Sequence, residues 1–138
     1  MHIVVAEGRY RVRKALSALL TQVEGVVIVG EVADAEELLA QAQEACPDLV
    51  LFDWDLPGTP SLELLNSLRR LCADVKVIVL SGQSDVGKVA LAAGANAFVD
   101  KGNPPDILLE AVRKCASAEM AAPSGDLEGE DPPGEGRS

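Results

Sequence analysis

Short runs of apolar, mostly β-branched residues recur along the first hundred residues and are separated by stretches with helical periodicity. Five such runs occupy residues 3–5, 26–29, 49–52, 77–80 and 97–99. Apolar runs without alternation are typical of strands buried on both faces, as in a parallel sheet between two helical layers. The regular alternation of strand and helix therefore predicts an α/β fold with one doubly wound, five-stranded parallel sheet.

Polar residues and prolines mark the expected helix boundaries. Asp34 suits the N-cap of the second helix, and Pro47 follows its expected end. Pro60 and Ser61 are expected to open the third helix, and residues 104–106 the fifth.

Composition divides the chain into two parts. Of the net charge of −10, half comes from residues 119–138, which hold six acids and one base. This segment is rich in proline and glycine and has no periodic apolar positions, so it is predicted to be a disordered acidic tail behind a folded domain at 1–118. An acidic chain is a poor match for a phosphate backbone, and direct nucleic-acid binding is not expected.

The three cysteines, Cys46, Cys72 and Cys115, lie far apart and form no CxxC or Cys/His pattern. They are therefore expected to be reduced residues packed at helix ends, with neither a zinc site nor a disulfide framework. No apolar run reaches the roughly 20 residues that a membrane span requires. A cytoplasmic protein without membrane contact is expected.

Polar side chains follow four of the predicted strands at the point where each strand ends. They are Glu7, Asp53, Ser81 and Lys101. The carboxyl ends of parallel strands meet at one rim of a doubly wound sheet, so these groups are expected to share a crevice. Two acids, a hydroxyl and an ammonium suit phosphoryl transfer, with the Asp53 carboxylate as nucleophile and Mg²⁺ as the usual counter-ion.

Three blocks resemble the characteristic segments of response-regulator receiver domains. They are PDLVLFDWDLPG (47–58), VKVIVLSG (75–82) and AGANAFVDKG (93–102), and residues 1–20 are similar to the first strand and helix of the subfamily that often carries a C-terminal helix-turn-helix. The resemblance covers about residues 1–118. It implies a flavodoxin-like sheet of order 2-1-3-4-5 and a non-enzymatic role in phosphorelay signalling. It also implies a histidine kinase or phosphotransfer protein as phosphoryl donor, and a downstream output protein as partner.

Position by position, the resemblance implies roles for individual residues. Asp53 becomes the phosphoacceptor, Ser81 and Lys101 bind the phosphoryl group, and Phe98 falls at the aromatic switch position. Glu7, Asp53 and the backbone carbonyl of Asp55 become candidate metal ligands.

The sequence also departs from the family pattern. Receivers usually place two adjacent acids after the first strand, where this chain has Glu7 and Gly8. The acid that binds the metal directly is absent, so Mg²⁺ binding is expected to be weak or absent. The segment between Ser81 and Gly94 is about two residues short. Gly102 stands where many receivers have a proline, so the usual cis peptide after Lys101 is expected to be absent or to lack its normal cause.

Three alternatives stay open. Arg9 either belongs to a solvated basic helix face or pairs with Asp53 and supplies positive charge in place of the metal. The domain could be a degenerate receiver that binds a partner without phosphorylation. LFDWDLPGT (51–59) also resembles the nucleophile block of haloacid-dehalogenase-type phosphatases, although that block normally follows the first strand.

Because no helix-turn-helix follows residue 118, either a stand-alone receiver or an excised part of a longer regulator is expected.

Overall fold

The computed structural model describes residues 1–121, with side chains up to residue 117. Strands and helices alternate along these residues: β1 (His2–Ala6), α1 (Tyr10–Leu20), β2 (Val27–Val32), α2 (Ala35–Glu44), β3 (Leu49–Asp53), α3 (Ser61–Leu71), β4 (Lys76–Ser81), α4 (Val86–Ala92), β5 (Ala97–Asp100) and α5 (Pro105–Ala121). The strands form one sheet of order β2-β1-β3-β4-β5, and every pair is parallel. The predicted doubly wound fold and strand order are confirmed.

Each face of the sheet buries its own apolar layer. Alternate residues of β3 show this: Val50 and Phe52 pack with α2, α3 and α4, while Leu49 and Leu51 pack with α1 and α5. Because successive side chains of a strand point to opposite faces, a strand covered on both sides must be apolar throughout. This explains the unbroken apolar runs in β1, β3 and β4.

The expectation of burial was wrong for β2, which is an edge strand paired only with β1. Val27 and Val29 are 51% and 39% exposed. The second apolar run resembled the others in sequence, and its position at the edge is decided by the order of strands in the sheet.

Most predicted helix boundaries agree with the structure. Asp34 is the N-cap of α2, and its carboxylate accepts a hydrogen bond of 2.8 Å from the Glu37 backbone N–H. The Glu37 carboxylate in turn accepts from the Ala33 N–H at 2.8 Å, which satisfies a second amide at the helix start. α3 begins at Ser61 and α5 at Pro105, as predicted.

The expectation that all cysteines are reduced was wrong. Cys46, just after α2, and Cys72, at the C-cap of α3, form a disulfide with a Cα–Cα distance of 5.7 Å. The two residues are 26 positions apart, and only the side-by-side packing of α2 and α3 brings them together. Cys115 is buried in α5.

Helix α5 continues to Ala121, three residues beyond the predicted domain boundary at 118. The predicted disordered tail lies almost entirely outside the described residues and stays a prediction. Within residues 1–121, no helix combines the length and the apolar character that crossing a membrane requires.

Candidate functional site

The sheet topology brings the four predicted polar residues to one rim. Asp53 and Ser81 are the last residues of β3 and β4, while Glu7 and Lys101 directly follow β1 and β5. β1, β3, β4 and β5 are consecutive neighbours in the parallel sheet, so all four residues lie at its carboxyl edge.

Lys101 joins the two acids. Its ammonium Nζ lies 3.0 Å from Asp53 Oδ2 and 3.1 Å from Glu7 Oε1. The side chains of Glu7 and Asp53 are only 1% and 7% exposed, whereas that of Lys101 is 23% exposed. Charge-assisted hydrogen bonds to buried carboxylates are strong, so this bridge fixes the relative positions of three strand ends.

Arg9, the N-cap of α1, and Arg13 within α1 bind Glu7, and the hypothesis that Arg9 pairs with Asp53 was wrong. Glu7 Oε2 accepts from the Arg9 backbone N–H at 2.9 Å and from Arg9 Nε at 3.4 Å. Arg13 donates from Nη1 to the Glu7 backbone carbonyl at 2.8 Å. Arg9 still adds positive charge beside the site, but its partner is the first acid and not the candidate phosphoacceptor.

The surroundings move the pKa values of the two acids in opposite directions. Burial raises the pKa of Glu7, but the Arg9 N–H and Lys101 outweigh it, so the pKa of Glu7 lies below its ordinary value. Burial also raises the pKa of Asp53, and the negative charge of Glu7 adds to this effect. The Asp55 N–H, 3.2 Å from Asp53 Oδ1, and Lys101 only partly oppose the increase. The net pKa of Asp53 is raised.

The residues present do not fit a resident Mg²⁺. Mg²⁺ requires several hard oxygen ligands, but Glu7 and Asp53 are already bridged by the ammonium of Lys101. Gly8 brings no carboxylate, and a Cβ at that position would lie 3.1 Å from Cδ of Pro57. Within the part of the chain whose side chains are described, no group of three or more His, Cys, Asp or Glu residues could hold a metal.

An open cavity of ≈ 410 Å³ lies next to the acids and is lined by Glu7, Gly8, Arg9, Asp53, Asp55 and Pro57. It gives a ligand access to the Asp53 carboxylate, although Asp53 itself is 5% exposed. The backbone carbonyl of Asp55, predicted as a metal ligand, belongs to a residue of this cavity wall.

Ser81 and Phe98 lie at the predicted strand positions, but within the described side chains neither forms a hydrogen bond or an ion pair with Asp53. The Ser81 hydroxyl accepts a hydrogen bond of 3.0 Å from the Gln83 N–H, and its side chain is buried. Phe98 is half-buried in β5, and its ring lies against Gly87 of α4. Within the described residues no peptide bond is cis, which agrees with the expectation after Lys101.

Sequence reasoning missed two supports of the site. The Ser61 hydroxyl donates to the Trp54 carbonyl, which ties the start of α3 to the residue after Asp53. The other is Arg13, whose hydrogen bond to the Glu7 carbonyl holds α1 against the end of β1. A serine at the first turn of a helix is a recognisable signal, but its acceptor is set by the fold.

An acid at the end of the middle strand contacts a lysine that directly follows the last strand of a doubly wound sheet, which is the arrangement that the resemblance to receiver domains predicts. The family model of the response regulator receiver domain matches residues 3–113. The chain belongs to this family. Receiver domains commonly bind Mg²⁺ at the phosphorylation site, and those of the LuxR/NarL type interact with histidine kinases and output domains.

The relatives include several response regulators. The transcriptional activator protein ExaE of Pseudomonas putida is 36% identical over 116 residues, which is 83% of this chain and 54% of that protein. The nitrate/nitrite response regulator NarL of Escherichia coli K12 is 29% identical, over 86% of this chain and 56% of that protein. The chain therefore spans about half the length of the curated relatives it matches. The matched family and these relatives indicate no enzyme family.

Solved structures agree with the fold. A LuxR-family two-component response regulator from Aurantimonas matches with a TM-score of 0.79 and 26% identity, covering 85% of each chain. A CheY-like receiver domain protein from Methanospirillum hungatei matches with a TM-score of 0.76 and 27% identity, covering 88% of this chain and 98% of that one.

Proposed function

We propose that this receiver domain accepts a phosphoryl group on Asp53 from a histidine kinase or phosphotransfer protein and thereby alters a surface that binds an output protein. The observation that carries the proposal is the contact of 3.0 Å between Lys101 Nζ and Asp53 Oδ2, beside an open cavity. A cytoplasmic location is part of the same proposal.

The proposed chemistry is direct phosphoryl transfer. A carboxylate oxygen of Asp53 forms the new O–P bond while the P–N bond to the donor histidine breaks, and the histidine nitrogen leaves with the bonding electron pair. Lys101 then moves from its bridge between the acids to the new phosphoryl oxygens, whose negative charge exceeds that of one carboxylate. Ser81 would donate its hydroxyl to another phosphoryl oxygen, which requires a rotation from its present orientation.

A switch also needs two states. The phosphoryl group must favour one of two pre-existing arrangements of the loop after Ser81 and the ring of Phe98. In this proposal the positive charges of Lys101 and Arg9 supply part of the positive potential that a metal would otherwise provide.

A second candidate is a receiver that binds its partner without phosphorylation. Two features favour it. The ammonium of Lys101 already supplies a cation to the site, and Gly8 replaces the acid that receivers usually place after Glu7. In that case the bridged state is permanent, and the partner surface does not depend on Asp53. The phosphatase alternative has weaker support because Asp53 follows the third strand and not the first.

Acetyl phosphate and beryllofluoride distinguish the first two candidates. Each reagent is titrated with and without Mg²⁺ while the fluorescence of Trp54, next to Asp53, is recorded and the mass of the protein is measured. The proposal expects a saturable fluorescence response to each reagent and one added phosphoryl group with acetyl phosphate in the wild type, and neither in Asp53→Asn. A wild type that shows no response and no added mass at any Mg²⁺ concentration contradicts phosphorylation and supports the second candidate.

A further inference from the structure

Helix α2 is tied at its start to the loop before α3 and at its end to the end of α3. At the rim that carries Asp53, the Ala35 N–H donates to the Pro57 carbonyl at 2.8 Å, and Thr59 Oγ1 donates to Glu36 Oε2 at 2.9 Å. At the opposite rim, the disulfide between Cys46 and Cys72 joins the two helix ends. The disulfide therefore lies far from the acid cluster and is independent of its chemistry.

The two cysteine residues differ in exposure to solvent. Cys46 is exposed, whereas Cys72 is 4% exposed beneath the α2 and α3 ends. A small thiol or disulfide in solution can reach the sulfur of Cys46, but it cannot reach that of Cys72 while the helices remain packed. Attack on this pair must therefore begin at Cys46.

The same backbone also suits the reduced pair. The Leu71 carbonyl lies 3.5 Å from Cys46 Sγ, and the Ala42 carbonyl lies 3.8 Å from Cys72 Sγ. When each sulfur carries a hydrogen atom, it has a carbonyl acceptor in place. The packed helices therefore place a carbonyl acceptor near each sulfur.

We propose that Cys46 and Cys72 form a reversible thiol–disulfide exchange site for low-molecular-weight disulfides of the glutathione class. In the first step the Cys46 thiolate attacks glutathione disulfide, which forms a mixed disulfide and releases one glutathione thiolate. In the second step the Cys72 thiolate attacks the sulfur of Cys46 and releases the second glutathione thiolate. The two protein thiols are oxidised, and one glutathione disulfide is reduced to two glutathione molecules.

Oxidation closes a covalent loop between two helices that pack side by side, so it stabilises the domain mainly by restricting the unfolded chain. For a loop of this length we expect the midpoint of thermal unfolding to rise by on the order of 10 °C. The proposal does not depend on phosphorylation of Asp53.

The test uses the full chain, reduced and then mixed with glutathione disulfide under native conditions. Samples are quenched with acid over time and analysed by intact mass and peptide mapping. The wild type is expected to pass through a mixed disulfide on Cys46 to the internal disulfide. Cys72→Ser and Cys72→Ala should both stop at a stable mixed disulfide on Cys46. Cys46→Ser should leave Cys72 unmodified at least ten-fold longer.

Cys115→Ser is the matched control because it also changes a buried cysteine, and it should oxidise as the wild type does. Circular dichroism confirms that each variant is folded before the reaction. Addition of reduced glutathione to the oxidised wild type should restore both thiols. The proposal is overturned if glutathione attaches first to Cys72, if no internal disulfide forms, or if the oxidised protein resists reduction while folded.

Discussion

Gly87 of α4 lies directly against the ring of Phe98, so that a Cβ at residue 87 would come within 2.9 Å of the ring atom Cδ2. The glycine in the short fourth helix is therefore required by packing. It allows the ring of Phe98, the aromatic residue at the predicted switch position, to lie between β5 and α4. The position of the Phe98 ring and the position of α4 are thus linked by one contact.

We expect Gly87→Ala to destabilise the domain, although alanine is the better helix former. Alanine in a helix gains about 1 kcal/mol over glycine, but overpacking a well-filled site costs about 1–3 kcal/mol. The net loss in the free energy of unfolding should be up to about 2 kcal/mol, measured by urea denaturation. The ring of Phe98 should become more exposed.

The control is the same change in a Phe98→Ala background. There the methyl group meets no ring, so Gly87→Ala should raise stability by about 1 kcal/mol relative to Phe98→Ala alone. A change of the same size and sign in both backgrounds would show that the contact has no energetic consequence.

Lys101→Met tests the bridge between the acids. Methionine keeps most of the side-chain volume but leaves Glu7 buried beside Asp53 without the ammonium group. Breaking a buried ion pair from one side costs about 3–5 kcal/mol, and the partial exposure of Lys101 places the expected loss near the lower end of this range.

Chemical denaturation at pH 7 measures this loss of stability. The matched control, Lys88→Met at an exposed position of α4, should change stability by no more than about 0.5 kcal/mol. Equal effects of the two substitutions would argue against a structural role for the bridge.

Asp53→Asn should gain stability relative to the wild type as the pH rises. The pKa of Asp53 is raised in the folded state, mainly by burial, above its ordinary value of 3.8. The stability that this group contributes is therefore fully present below pH 3.8 and is lost as the pH rises through the raised pKa. Asparagine does not titrate, so residue 53 adds no pH dependence to the stability of the variant.

Unfolding of both proteins in urea between pH 3.5 and pH 7 measures the difference. The stability of Asp53→Asn minus that of the wild type should increase across this range. A difference that decreases with pH would mean that the lysine and the Asp55 N–H outweigh burial and that the pKa of Asp53 is lowered in the folded state.

Gly8→Asp should create a better Mg²⁺ site. It restores a second carboxylate beside Glu7, although the ring of Pro57 must shift by a few tenths of an ångström to admit the side chain. Hard oxygen ligands determine Mg²⁺ affinity, so we expect binding to tighten at least ten-fold, as measured by Trp54 fluorescence.

Gly8→Asn is the matched control because it makes the same steric demand without the charge, and it should leave Mg²⁺ affinity near that of the wild type. If the asparagine variant tightens binding as much as the aspartate variant, the effect arises from the loop and not from a new ligand.

Much of the site could be predicted because it depends on local sequence. Strand-end polar residues reach the same rim in any doubly wound sheet, so Glu7, Asp53, Ser81 and Lys101 could be named from their positions. Asp34 could be named as an N-cap because capping involves residues three positions apart. The missing acid at Gly8 was visible from the resemblance.

The remaining features depend on contacts between distant segments. The sequence by itself determined which residues form the strands and which acid lies at the end of the middle strand, since hydrophobic periodicity is local. Only the tertiary structure decided that Lys101 bridges both acids, that Arg9 pairs with Glu7, and that Cys46 meets Cys72. Those partners lie far apart in sequence or depend on side-chain directions, and no spacing rule specifies which of several nearby groups a side chain will contact.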